Sequence, residues 1–269
     1  HIEFHARIIL QKYIQRSLIR ISNEIIESSY KESIDVFDLL DEAESKLYDV
    51  AQGNIKKSSD TAQNVVMLAK KKIEEIANKE GLSGVATGFE KLDALTSGWQ
   101  PSDLIIIAAR PGMGKTALTL SMARNMAVTQ QTPVAFFSLE MSSVQLITRL
   151  ISAETGLSSE KLRTGKLADH EWKQLNVKVG DLEKAPLFID DTPALSIFDL
   201  RAKARRLASQ HDIKLIIVDY LQLMTAGSSS KAGNREQEIS TISRNLKSLA
   251  KELDIPVIAL SQLSRAVET

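Results

Sequence analysis

The chain has 269 residues, 43% of them apolar, which is enough for one large domain or two smaller ones around a real core. Lysine plus arginine equals aspartate plus glutamate at 34 each, so the formal net charge is zero. That balance excludes a strongly basic protein that coats nucleic acid, though not a local basic stripe or pore. The lack of cysteine excludes disulfides and thiolate metal sites.

The four histidines, His1, His5, His170 and His211, are scattered without ligand-like spacing and read as solvated or structural. No run approaches the length of a membrane span and no signal peptide is visible, so the expected compartment is the cytoplasm, with no membrane partner. The first residue is histidine and the last residues leave a strand without a cap, so we expect a portion of a longer protein.

Residues 1–52 read as helices. Ile8, Ile9, Tyr13, Ile14, Leu18, Ile21, Ile25 and Ile26 recur at helical spacing, and Val36, Leu39, Leu40, Ala43, Leu47 and Tyr48 form a second pattern. Two antiparallel helices of this length cannot bury both faces alone, so a partner or further chain is expected. Residues 53–59 read as a linker. Asp60 or Thr61 caps a helix over 61–79, whose apolar stripe is Val65, Leu68, Ala69, Ile73 and Ile76. This helix packs on its own domain or docks on a neighbour, and spacing alone does not decide.

From residue 81 the pattern changes. Gly81, Gly84, Gly88 and Gly98 break up a turn-rich region. Apolar strands are then predicted at 104–109, 134–138, 187–189, 215–218 and 257–260, with helices at 116–128, 142–155, 168–179, 196–209 and 235–253. Continuous apolar strands alternating with helices predict an α/β fold with a parallel sheet covered on both faces. Ligands of such sheets bind at the carboxyl ends of the strands.

A phosphate loop follows the first strand: Ala109, Arg110, Pro111, Gly112, Met113, Gly114, Lys115 and Thr116, with Ala117 opening the helix. It matches the Walker A pattern except for Ala109 at the first glycine, where a small residue still fits. Backbone N–H groups of roughly residues 112–117, at a helix N-terminus, suit the phosphates of a nucleoside triphosphate. Lys115 reaches the β and γ phosphates, and the Thr116 hydroxyl ligates Mg2+. Asp219 ends an apolar strand. It is either a turn residue or, beside such a loop, the Walker B carboxylate that holds the metal. Glu140 follows the second strand. It serves either as a helix N-terminal charge or as the base that orients the attacking water, and Tyr220 after Asp219 favours the second, because no Asp-Glu pair is present there. Gln262 is either a polar residue leaving a strand or an amide that hydrogen-bonds the γ-phosphate.

Residues 225–234 read as a loop, with Lys231, Arg235, Arg244 and Lys247 adding positive charge at the sheet's carboxyl edge. Contact with nucleic acid and simple solvation are both open. Arg201, Lys203, Arg205 and Arg206 read as a solvated helix face.

In order, the chain carries Ala-Arg-Pro-Gly-Met-Gly-Lys-Thr, Phe-Phe-Ser-Leu-Glu-Met, Ile-Ile-Val-Asp-Tyr-Leu-Gln-Leu-Met and Ile-Ala-Leu-Ser-Gln-Leu-Ser-Arg, preceded by Thr87-Gly88-Phe89-Glu90-Lys91-Leu92-Asp93. Together these motifs closely resemble the DnaB family of bacterial replicative helicases, over essentially all of 81–269. The resemblance implies a RecA-like P-loop NTPase core in a homo-hexameric ring on single-stranded DNA, preceded by an α-helical N-terminal hairpin and a linker helix. It makes Lys115 and Thr116 the phosphate and magnesium residues, Glu140 the catalytic base, Asp219 the Walker B acid and Gln262 the γ-phosphate sensor. Residues 1–52 resemble the last hairpin of the family's N-terminal domain, which engages primase. The 53–80 segment resembles its linker, with a helix docking on the next subunit, and 81–269 is the ATPase domain. A helicase loader is a further expected partner. In the family, an arginine finger and much of the DNA-contacting surface follow the last motif. A RecA-like recombinase, or a nucleotide-gated ring scaffold without unwinding, are the competing readings.

Overall fold

The structure is a computed structural model. It describes residues 2–31, 61–77, 81–225 and 235–263, and the single residues 36, 39, 42, 43, 46, 47 and 50. The predicted linker 53–59 with Asp60, Leu40 and Tyr48 of the second helical pattern, and the loop 226–234 with Lys231 lie outside the described residues, as do Ser264 and Arg265 of the last motif. Two compact units divide the chain, one drawn chiefly from His1–Asn78, the other from Lys79–Thr225 and Asn234–Thr269.

The first unit is helical. Ile2–Ser29 is one helix that turns Ser17 and Ile21 inward, while Ile9, Tyr13, Ile19 and Ile26 remain exposed. Val36, Leu39, Ala43 and Leu47 are helical as predicted. Lys46 bridges Glu24 at 2.9 Å and Glu42 at 2.8 Å, which ties the second segment to the first. The predicted helix at 61–79 spans Ala62–Ala77, with Thr61 accepting from the Asn64 N–H at its start. None of its residues is buried.

Among the described residues the second unit holds five parallel strands: β1 (Leu104–Ala109), β2 (Val134–Ser138), β3 (Leu187–Asp190), β4 (Leu215–Asp219) and β5 (Val257–Gln262). Their order is β1-β5-β4-β2-β3. β2 and β4 are buried throughout, as is β5 from Val257 to Leu260, which is why these strands read as unbroken apolar runs. The helices Lys115–Arg124, Ser143–Thr155, Asp169–Glu183, Ile197–His211 and Arg235–Leu253 fall where the periodicity places them. The short helix Ser159–Thr164 lies outside the predicted pattern. The main core joins Met122, Met126, Phe136, Leu146, Ile217 and Ile258.

Two charge readings need correction. Arg201 is only 4% exposed, not part of a solvated face. Its helix packs against Arg235–Leu253, and its guanidinium pairs with Glu252, which also takes Arg205, while Lys203 pairs with Asp190 at 2.7 Å. Paired, hydrogen-bonded charge is tolerated inside a fold. Lys247 is not at the carboxyl edge either. Its ammonium donates to the Ser102 carbonyl (2.9 Å) and to Asp103 (3.0 Å), which precede β1 at the opposite end of the sheet.

The Thr87–Asp93 motif is a clasp. The Thr87 and Gly88 N–H groups donate to the Asp93 carboxylate at 2.8 and 3.1 Å, and Phe89 N–H donates to the Thr87 hydroxyl at 3.0 Å. The Asn125 amide reaches the Gly88 carbonyl at 3.4 Å, so the clasp rests on the end of the helix that follows the phosphate loop.

Candidate nucleotide site

The strand register brings the candidate residues to one edge. Ala109 pairs with Gln262, so β1 ends level with β5, and Ser138 pairs with Asp219, so β2 ends level with β4. The chain leaves β1 through residues 110–114 and enters the helix Lys115–Arg124. Gly112 and Gly114 have φ of 78° and 84°, a left-handed backbone that side-chain-bearing residues rarely adopt. A Cβ at either position would meet nothing within 4 Å. Conformation, not crowding, requires glycine here, and the open space faces the cavity. That cavity has a volume of about 360 Å³ and is lined by residues 109–112 and 114–117, with Glu140, Met141, Arg149 and Gln262 around it. Met113 points to solvent and is not among the lining residues.

Asp219 is fully buried at the tip of β4. It accepts from the Thr116 hydroxyl at 2.6 Å, and the Lys115 ammonium stands 3.0 Å from its other oxygen. Despite that approach, neither Lys115 Nζ nor Asp219 Oδ1 completes a well-aligned hydrogen bond, although both atoms are shielded from water. Lys115 also sits 4.0 Å above the Tyr220 ring, whose π face attracts the ammonium. A buried ammonium and carboxylate with unused bonding capacity fit, respectively, an anionic phosphate and a hard divalent cation. The Thr116 hydroxyl, donating to Asp219, keeps lone pairs for the same cation.

Glu140 is exposed on the cavity wall. Its turn is held by Ser138, whose hydroxyl donates to the Met141 carbonyl at 2.6 Å and accepts from the Met141 N–H at 3.2 Å. The Leu139 N–H donates to the Asp219 carbonyl at 2.7 Å, which fixes this turn beside β4. Arg124, at the end of the phosphate-loop helix, pairs through two nitrogens with Glu154, at the end of the helix that follows Glu140. The Arg124 hydrogen bond, opposed by burial, holds the Glu154 carboxyl below its ordinary pKa, so this brace is charged at neutral pH.

Glu140, Lys115, Thr116 and Gln262 therefore line one recess, with Asp219 buried behind it against Lys115 and Thr116. Three neighbours were not picked out as site residues from the sequence. Arg149 was findable, since it lies two turns along the helix face begun by Ser142 and Gln145. Tyr220 and Gln222 entered the sequence reading only as members of the motif around Asp219, with no pattern that gave either a contact of its own.

A parallel sheet with covering helices, and a glycine-rich loop leading from its first strand into a helix, defines the P-loop class of nucleotide-binding folds. The comparisons narrow this further. The family model described as DnaB-like helicase C terminal domain matches residues 84–269, and the chain belongs to that family. It is 45% identical over its full length to the replicative DNA helicase DnaB of Geobacillus stearothermophilus, and spans 59% of that protein. Its structure is similar to that of a DnaB-like replicative helicase described with its interactions with primase. That match has a TM-score of 0.68 and 31% identity, covering 99% of this chain and 62% of the other. A second solved structure, of an ATPase domain, matches with a TM-score of 0.71 and 33% identity, over 78% of this chain and 74% of that one.

Proposed function

We propose that this chain is a large part of a replicative DNA helicase subunit, in which ATP hydrolysis drives a hexameric ring along single-stranded DNA and separates strands at a fork. The observation that carries this reading is the convergence of Lys115, Thr116, Glu140 and Gln262 on one cavity, with Asp219 buried against the first two, in a chain of the DnaB-like family. The loop 109–117 cradles the phosphates through its backbone N–H groups. Lys115 leaves Asp219 to meet the β and γ phosphates. Thr116 and Asp219 would hold Mg2+, which supplies charge neutralisation across the phosphate oxygens. Glu140 orients the attacking water and takes its proton, and Gln262 hydrogen-bonds the γ-phosphate.

The organisation proposed is a helical N-terminal part (1–52), a linker with its helix (53–80) and the ATPase domain (81–269). The wholly exposed 62–77 helix supports docking on a neighbouring subunit. Primase is proposed as a partner of the helical part, supported by the related structure described with primase, and a loader as a further partner. Among the described residues no helix is long and apolar enough to cross a membrane, and the cytoplasm is the compartment proposed.

The test is strand displacement on forked DNA by the full-length protein, beside its Glu140→Gln variant. The expected result is ATP-dependent unwinding, with hydrolysis reduced by about 10²–10⁴-fold in the variant. ATP turnover without unwinding on forks of either polarity would instead favour a nucleotide-gated scaffold.

A further inference from the structure

β5 outruns its neighbour. β4 pairs with it from Ile216 to Val218, against Val257 to Ala259. β5 then continues to Gln262 with β1 on its other side, where Ala108 stands opposite Ser261 and Ala109 opposite Gln262. Beyond Asp219 the chain turns into the single 3-10 turn Leu221–Leu223. The vacated ladder position is filled by one side chain. Gln222 Oε1 accepts from the Gln262 N–H at 3.2 Å, and Gln222 Nε2 donates to the Gln262 carbonyl at 3.2 Å and to the Ser261 hydroxyl at 2.9 Å. A primary amide presents a donor and an acceptor side by side, as a strand's peptide groups do, so it can satisfy a strand end that has lost its neighbour. On the β1 side the Leu263 N–H donates to the Ala109 carbonyl at 3.1 Å. The main chain at Gln262 is thus gripped from both sides.

Gln222 is itself held. The Arg235 guanidinium donates to the Gln222 carbonyl and, at 3.4 Å, to the Met224 carbonyl. The turn that carries the amide is therefore anchored to the first residue of the helix Arg235–Leu253.

We propose that Gln222 is a positioning residue for Gln262. By completing the ladder at the end of β5, it fixes where the Gln262 amide stands relative to a terminal phosphate. This rests on the reading of Gln262 as the γ-phosphate ligand. The two amides divide the labour, since Gln262 lines the cavity and Gln222 does not.

The test compares the wild-type chain with Gln222→Met, Gln262→Ala and the double variant. Methionine keeps the length of the side chain and removes all three bonds. Calorimetric titration with magnesium ADP and with magnesium β,γ-imido-ATP gives each protein's preference for triphosphate over diphosphate, a ratio that a general loosening of the site does not move. Gln262→Ala is expected to lower the preference about tenfold, the scale of one hydrogen bond to a charged group. Gln222→Met is expected to lower it about threefold or more, with ADP affinity retained, and the double variant to match Gln262→Ala alone, because the two act as a unit. An unchanged preference in Gln222→Met while Gln262→Ala loses it overturns the positioning role and leaves the Gln262 reading intact. So do losses that add in the double variant. An unchanged preference in Gln262→Ala overturns both.

Discussion

The two units of the chain use apolar residues in opposite ways. In the strand unit, Phe136, Ile217 and Ile258 lie wholly inside, enclosed by helices of the same unit. In the helical unit, Ile9, Ile19, Val65, Leu68 and Ile73 stand exposed on helices of good regularity. A sheet with helices on both faces closes its own core, whereas a helix with nothing packed on its apolar stripe has a face left over. The strand unit can therefore hold its site residues on a core of its own. The helical unit is suited to contact, and its apolar faces gain burial only when another surface arrives.

That contrast can be broken most directly in the core. Ile217→Ala should destabilise the strand unit by about 2–5 kcal/mol, since it removes a fully buried side chain from close-packed surroundings. Thermal or urea unfolding would read this, and a loss below about 1 kcal/mol would mean that the sheet is not the rigid element. Next in size is Lys115→Ala, which removes a charge-assisted phosphate contact worth about 1.5–3 kcal/mol. Calorimetric titration with ATP and magnesium should show that loss while the melting transition persists; normal binding would remove the phosphate-loop assignment. The smallest effect sharpens the other half of the comparison. Ile73→Ala, at a side chain 65% exposed, should change the stability of the separate chain by less than about 0.5 kcal/mol. In the full-length protein the same change should weaken ring formation, read by sedimentation. Undisturbed rings would return the 62–77 helix to its own domain.

Most of the strand unit was legible because burial on both faces leaves a continuous apolar signature, and because the phosphate loop is a local motif. Asp219 and Glu140 were legible for a related reason: each polar residue interrupts an apolar run at its carboxyl end. What escaped depends on pairing across long stretches of chain. Arg201 looks like any solvated arginine until Glu252 is found opposite it. Lys247 reads as loop charge until its partner proves to be Asp103, at the far end of the sheet. Gln222 sits between two leucines, and its partner lies 40 residues away, so no periodicity reports it. The exposed face of the 62–77 helix was visible as a stripe, but a stripe does not say what covers it.

The pair formed by Lys115 and Asp219 links the two ligands of the proposed reaction. Each charge is compensated by the other in a place closed to water. Stripping one partner from such a buried pair costs on the order of 3–5 kcal/mol, because the remaining charge stands alone. A triphosphate by itself would take the ammonium and strand the carboxylate, and a cation by itself would do the reverse. On the proposed reading the two inputs together replace both partners at once, so a triphosphate and its cation are expected to bind more tightly together than either does alone.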